Sequence, residues 1–411
     1  MITEGIDADP QPQPVAVRGG STSSVLGKER RSPTRIMHII TGLNTGGAEM
    51  MLLKLLSASN GNWNSMVVSL GEKGSIGPKI ARLGVPVDCL HLRPQAPNPL
   101  RIMSLIKLMR RFRPQLIQGW MPHGNLLASI VQVSLRHQVP VLWNVQMSLY
   151  DVRLEPWGTR AFIRLGALLS KQPAAIVYNS QLSARQHEDF GYHAGKRSVI
   201  ATGFDCGLFR PDEEAREAVR SELGLESRAI LIGLVARYHP MKDHACFFRA
   251  ASYVVQDHPE VRFVLVGKGL TSKEPSLQEL ILRAGVENYI LLLGERQDTP
   301  RLNAALDVAC SASAWGEGFS NSIGEAMACG VPCVVTDVGD SGYLVGSTGV
   351  AVPPRNPQAL AQAICQLIDS GEARRKELGI AARWRIETEF SLPEIVRRYE
   401  ELYKSCLTPI H

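Results

Sequence analysis

The feature that most constrains this chain is a series of short apolar runs alternating with helical segments, which is completed once and then begins again. Ile36-Met37-His38-Ile39-Ile40 reads as a short buried strand, followed by a glycine-rich loop through Ala48 and helical periodicity from Glu49 to Ala58. Strand-like runs follow at Met66–Leu70, Gln115–Gly119, Pro140–Asn144 and Ala175–Asn179, with a helix predicted over Pro99–Phe112. The pattern restarts with a strand at Ile230–Ala236, a helix at Lys242–Gln256 and a strand at Arg262–Gly267. It continues through Ser276–Ala284, Ile290–Leu293, Pro300–Ala304, Val308–Ser311, Ser322–Cys329 and Pro332–Thr336. Such alternation implies mostly parallel sheets with helices on both faces. The 411 residues exceed one ordinary core and fit two such domains. Two consecutive doubly wound domains place a ligand in the cleft facing the carboxyl ends of their strands.

The predicted layout is a disordered tail over 1–35, a first Rossmann-like domain over 36–205 and a second over 206–390. Asp205–Glu226 reads as the link, and a final helix within 391–411 packs back on the first domain. The tail carries Gln-Pro repeats and a Ser-Thr-Ser-Ser run without an apolar stretch, so it is not read as a signal peptide. The longest uncharged stretch, Pro114–Leu135, is interrupted by Gly119, Pro122, His123, Gly124 and Asn125, and no membrane-spanning helix is expected. Net charge of +6 is too small to argue for nucleic acid and suits anionic substrates or an acidic membrane surface. Eight cysteines without a Cys-x-x-Cys pair read as reduced core thiols of a cytoplasmic protein.

Chemistry concentrates in Trp315-Gly-Glu-Gly-Phe-Ser-Asn-Ser-Ile-Gly-Glu-Ala-Met-Ala-Cys-Gly-Val-Pro332. Two carboxylates, Glu317 and Glu325, stand with seven residues between them. Gly316 and Gly318 permit a tight loop with free amides, and Ser320, Asn321 or Ser322 can cap the helix that follows. A helix N-terminus behind such a loop suits a diphosphate. The competing reading is a capping box, Ser322-x-x-Glu325, in which Glu325 only ties down the helix start. A second motif, Gly233–His244, puts Arg237 after a buried strand and Lys242 at the start of the next helix. Two cations there can neutralise a diphosphate leaving group without a metal, against the alternative of a solvated surface pair.

The stretch from Glu317 to Gly330 resembles the family-four retaining glycosyltransferases of the GT-B fold, in which two Rossmann-like domains face each other across a cleft. The resemblance runs from about Ile36 to the C-terminal helix. It implies that Glu325 holds the nucleotide ribose and Glu317 contacts the transferred sugar. It also implies that Gly318, Phe319, Ser320 and Asn321 offer amides to sugar and phosphate, and that Arg237 and Lys242 bind the donor phosphates. Thr45-Gly46-Gly47-Ala48-Glu49 is similar to the family loop that faces the donor diphosphate, whose glycines admit close backbone approach. His123, just beyond a strand, matches a histidine that lies close to the sugar in relatives; a satisfied structural histidine is the alternative. Leu265-Val-Gly267-Lys-Gly269 resembles the strand end that backs the nucleotide, and Gly294-Glu295-Arg296 is expected near the base. Asp7-Ala-Asp9 spells a metal-binding D-x-D but has no strand before it, and no metal is expected. The run Asp337-Val-Gly-Asp340-Ser-Gly-Tyr343 departs from the pattern of many family members, which the resemblance gives as Gly-Gly and then a glutamate there.

The implied activity is metal-independent transfer, with retention, of a hexose or N-acetylhexosamine from a nucleotide-diphosphate sugar to a saccharide or lipid-linked acceptor. The nucleotide sugar is then a co-substrate and no cofactor is needed. Pro99–Arg113, with Ile102, Leu105, Ile106 and Met109 on one face, and Trp157–Lys171, with Arg160 and Arg164, are apolar and basic. They read as core helices or as a peripheral membrane contact at the inner face of the cytoplasmic membrane. Two other functions remain: a nucleotide-sugar epimerase of the same fold, which the paired glutamates and cations oppose, and a non-catalytic sugar-nucleotide-binding module.

Overall fold

The computed structural model describes residues 33–408 except 60, 93–98, 135–137, 150–156 and 227. Two parallel sheets organise these residues. The first contains β1 (Thr34–Ile40), β2 (Trp63–Ser69), β3 (Val87–Cys89), β4 (Leu116–Trp120), β5 (Val141–Val145), β6 (Ala175–Tyr178) and β7 (Arg197–Val199), in the order 3-2-1-4-5-6-7. Its helices are α1 (Gly47–Ala58), α2 (Gly77–Arg82), α3 (Pro99–Phe112), α4 (Met121–Ser134), α5 (Trp157–Leu169) and α6 (Gln181–Asp189). After α7 (Glu213–Glu222), the second sheet contains β8 (Ile230–Val235), β9 (Val261–Val266), β10 (Ile290–Gly294), β11 (Val308–Ser311), β12 (Cys333–Thr336) and β13 (Val350–Val352), in the order 10-9-8-11-12-13. Around it lie α8 (His244–Asp257), α9 (Pro275–Ala284), α10 (Thr299–Ala304), α11 (Asn321–Ala328), α12 (Ser341–Val345), α13 (Pro357–Asp369) and α14 (Gly371–Arg385), and α15 (Leu392–Leu407) follows them in sequence.

Every residue of β4 and β5 is buried, as central parallel strands covered on both faces require. The three-residue strands β3, β7 and β13 carry too little pattern to be read from sequence. Helix α4 was also hidden, because Pro122 and Gly124 look like breakers. Pro122 falls in the first turn, where its missing N–H is no loss, and Gly124 lies against the Ile39 carbonyl. Thr34 and Arg35, assigned to the tail, open β1 instead, because their backbones pair with Trp63 and Asn64. The remaining tail and Asp7-Ala-Asp9 lie outside the described residues. The expected link contains a full helix, α7, capped by the Asp212 carboxylate accepting from the Ala215 N–H.

The chain passes between the two sheets twice, and the crossings run side by side. The Phe204 N–H donates to the Phe390 carbonyl at 2.9 Å, and the Leu392 N–H to the Phe204 carbonyl at 2.8 Å. A π-helical turn, Ile386–Phe390, bends the chain into α15. Helix α15 then lies on the first sheet's side. Asn144 Nδ2 donates to the Tyr399 hydroxyl at 2.8 Å, the Tyr403 hydroxyl donates to Gln118 Oε1 at 2.5 Å, and Trp63 meets the Tyr403 ring edge-on. Phe319 packs between Phe204 and Phe390, so one apolar core continues from the first sheet through both crossings into the second.

Candidate active site

Each strand order reverses once, between β1 and β4 in the first sheet and between β8 and β11 in the second. In open α/β sheets the crevice at such a reversal, beyond the carboxyl ends, is where ligands bind. The loop after β1 carries Gly46 and Gly47, and β4 leads directly into His123. The loop after β8 carries Arg237 and Lys242, and the one after β11 carries Glu317. Six residues from four motifs therefore fall at the two reversals for a topological reason.

At the second reversal, Lys242 Nζ donates to Glu317 Oε1, and the Ser313 hydroxyl donates to the same oxygen at 2.7 Å. The two side chains are only 18% and 10% exposed, so this ion pair is weakly screened. Lys242 closes a short 3-10 turn, Pro240–Lys242, before Asp243 caps α8 with its carboxylate. Arg237 is exposed and makes no ion pair among the described residues. Burial and the charges of Arg237 and Lys242 hold His239 below its ordinary pKa. This corner thus holds two cations and one carboxylate, an electropositive balance suited to phosphate.

Glu325 is not part of a capping box. The N-cap of α11 is Ser320, which puts Ile323 at the capping-box position and Glu325 in the second turn. Its carboxylate is 3.9 Å from Lys54 Nζ of α1 in the opposite half. Burial raises the Glu325 pKa, with the Lys54 charge opposing, and burial lowers the Lys54 pKa against Glu325 and Asp205. Lys54 also donates to the Gly203 carbonyl at 3.3 Å. The loop after β11 touches the first half too: the Ser148 hydroxyl donates to the Glu317 carbonyl at 2.8 Å. Neither Lys54 nor Ser148 lies in a recognisable motif, and folding alone brings them here.

The other expected residues divide. Gly46 is the N-cap of α1, with Glu49 folded over it so closely that a Cβ would lie 2.4 Å from the carboxylate; Gly47 opens the helix with free space beside it. Gly267, with φ of 151°, passes so near the Ala236 carbonyl that a Cβ would stand 1.9 Å away, next to Arg237. His123 is half-buried against Phe162, ring centroids 4.1 Å apart, and burial lowers its pKa, which favours the neutral imidazole. Met121, two residues earlier, has φ of 64°, a strained turn from β4 into α4. Ser320 is buried at the start of α11 without bonding the helix through its side chain, and the Asn321 side-chain oxygen is buried without a partner. The Phe319 ring belongs to the core, leaving only its backbone for the cleft. The Arg296 guanidinium is bound by Asp298 and Glu222 at 2.8 Å, which leaves its backbone, as expected for the Gly294-Glu295-Arg296 turn, as the part that could meet a base.

Two α/β domains whose strand reversals face one cleft define the GT-B architecture of nucleotide-sugar-dependent transferases. Family comparison agrees: residues 45–208 match the model of Glycosyltransferase Family 4, and residues 229–370 match Glycosyl transferases group 1. The chain belongs to this glycosyltransferase family. It is 25% identical to the lipopolysaccharide core biosynthesis mannosyltransferase LpsB of Rhizobium meliloti, over 81% of this chain and 90% of the relative. It is 28% identical to a D-inositol 3-phosphate glycosyltransferase of Corynebacterium urealyticum, over 69% of this chain and 68% of that one. Among solved structures, Anabaena HepE in complex with UDP superposes with a TM-score of 0.81 at 23% identity, over 90% of this chain and all of HepE. Among the described residues, no helix is long and apolar enough to cross a membrane.

Proposed function

We propose that this glycosyltransferase takes a hexose or N-acetylhexosamine from a nucleotide-diphosphate sugar and transfers it, with retention and without a metal, to a saccharide or lipid-linked acceptor in polysaccharide or glycolipid assembly. The observation that carries this reading is the Lys242–Glu317 pair at the second strand reversal, with Arg237 beside it. Lys242 has three N–H donors, and Glu317 occupies one of them. The remaining two and the Arg237 guanidinium are assigned to the diphosphate, whose growing negative charge they stabilise as the glycosidic bond breaks. Glu317, held by Ser313 and Lys242, is assigned to a sugar hydroxyl, and Glu325 to the ribose, which replaces or shares its contact with Lys54. His123, whose neutral form burial favours, is assigned to a sugar hydroxyl on the acceptor side. The acceptor oxygen attacks the face the diphosphate leaves, and a departing phosphate oxygen takes its proton. The relatives named as transferases of lipopolysaccharide core and inositol phosphate, and HepE with UDP, support a nucleotide-sugar donor.

Nucleotide release from a panel of nucleotide sugars, with and without EDTA, tests the reaction. Proton NMR of the freshly formed product tests its anomeric configuration. One donor consumed equally in EDTA, with an axial donor bond giving an axial product bond, is the expected result. Loss of turnover in EDTA, or an inverted product, contradicts it; interconversion of two nucleotide sugars favours the epimerase.

A peripheral membrane contact is proposed on a separate observation. Between Asp88 and Glu188 the sequence contains only Asp151 and Glu155 as acidic residues against twelve lysines and arginines. Here Trp157, Phe162, Leu165 and Leu168 of α5, Ile130 and Val133 of α4, and Met103 of α3 are exposed. Exposed apolar side chains in a segment with so large an excess of cations suit an anionic bilayer surface. Flotation with phosphatidylglycerol vesicles should carry the protein in low salt and lose it in high salt. A protein left at the bottom under both conditions contradicts the contact.

A further inference from the structure

We propose that Asp340 is a positioning residue that fixes the donor loop against the acceptor-side domain. Its carboxylate belongs to the second half but caps a helix of the first: Oδ2 accepts from the Gln181 N–H at 2.6 Å, and Oδ1 from the Leu182 N–H at 3.0 Å. These are two of the orphan donors at the start of α6, and the third, the Ser183 N–H, is taken by the Ser180 hydroxyl. Asp340 is buried and forms no ion pair with Lys or Arg among the described residues, so these two N–H groups and the helix dipole carry its charge.

The same residue grips the donor loop. The Asp340 N–H donates to the Gly318 carbonyl at 2.9 Å, between Glu317 and Phe319. On its other side Gly318 faces the Asn179 carboxamide, at the end of β6, and a Cβ there would stand 3.0 Å from it. Asn179 is buried, its side-chain oxygen has no partner, and Ser180 follows it directly. One residue therefore ties the sugar-side loop to the first turn of α6, so that tilting the halves apart breaks two charge-assisted bonds. The consequence is a fixed distance between Glu317 and the acceptor surface.

The inference rests on the transferase reading for its kinetics but not for its first measurement. In hydrogen exchange of the full chain, the Gln181 and Leu182 amides, which have no intrahelical acceptor, should exchange at least about tenfold faster in Asp340→Ala than in the wild type. Equal exchange of those amides in the two proteins overturns the proposal, whatever the substrate. In kinetics with the donor consumed by the wild type, Asp340→Ala should lower kcat about tenfold or more while leaving nucleotide diphosphate affinity within about twofold. It should also raise the share of donor lost to water. Asp340→Asn, which retains one strong acceptor oxygen, should restore part of the kcat. Equal loss of nucleotide affinity and kcat in both variants marks a purely structural residue and overturns the positioning role.

Discussion

At the scale of single residues, the Lys242–Glu317 pair is both an electrostatic arrangement and a packing problem. Truncating Lys242 leaves a carboxylate that is largely out of water with only the Ser313 hydroxyl for a partner. Lys242→Ala should cost about 3 kcal/mol in denaturant-monitored unfolding and lower kcat about 10²- to 10³-fold. The neutral pair Lys242→Met with Glu317→Gln should recover most of the stability and none of the turnover. Recovery of both would place the pair outside the chemistry. Both residues were legible in the sequence because each sits in a local pattern, a strand followed by cations or a glycine-flanked glutamate. Lys54, Ser148, Asn179 and Ser313 were not legible. Each is one polar residue in an ordinary helix, loop or strand end, and only the folded chain gives it a partner.

At the scale of elements, α11 decides how the site is seated. Gly324 lies so close to the Phe204 ring that a Cβ would meet it at 2.0 Å, which lets the helix rest directly on the crossing between the halves. Gly324→Ala should therefore reduce unfolding free energy by about 1–3 kcal/mol through overpacking. It should also weaken nucleotide binding, since Glu325 follows on the same helix. An unchanged midpoint in urea would mean that Phe204 moves freely and that α11 is not pinned there. The long central strands and amphipathic helices could be read from periodicity, whereas α4 was concealed by Pro122 and Gly124. Periodicity reports a face that must be buried, and breakers within a first turn do not alter that face.

At the scale of the whole molecule, buried histidines set the acid limit. Burial lowers His38 to about 3 and His187 and His244 to about 4, with the Lys242 charge adding to the effect on His244. Their folded values lie below the unfolded value of 6.5, so the stability they contribute is present above pH 6.5 and is lost as pH falls towards 4. Each loses about 1.4 kcal/mol per pH unit in that window. The melting temperature should fall steeply between pH 6.5 and 4, and His187→Gln should flatten that slope. A flat profile would show that these rings take up protons without unfolding.

The central claim is that a nucleotide diphosphate is held by Lys242 and Arg237 at its phosphates and by Glu325 at its ribose. Calorimetric titration of UDP and GDP into the wild type, Lys242→Ala and Glu325→Ala, all in EDTA, tests it most directly. The account predicts saturable one-site binding of one diphosphate, weakened about tenfold or more by each substitution. Binding that neither substitution changes, or no binding of either diphosphate to the wild type, would contradict it.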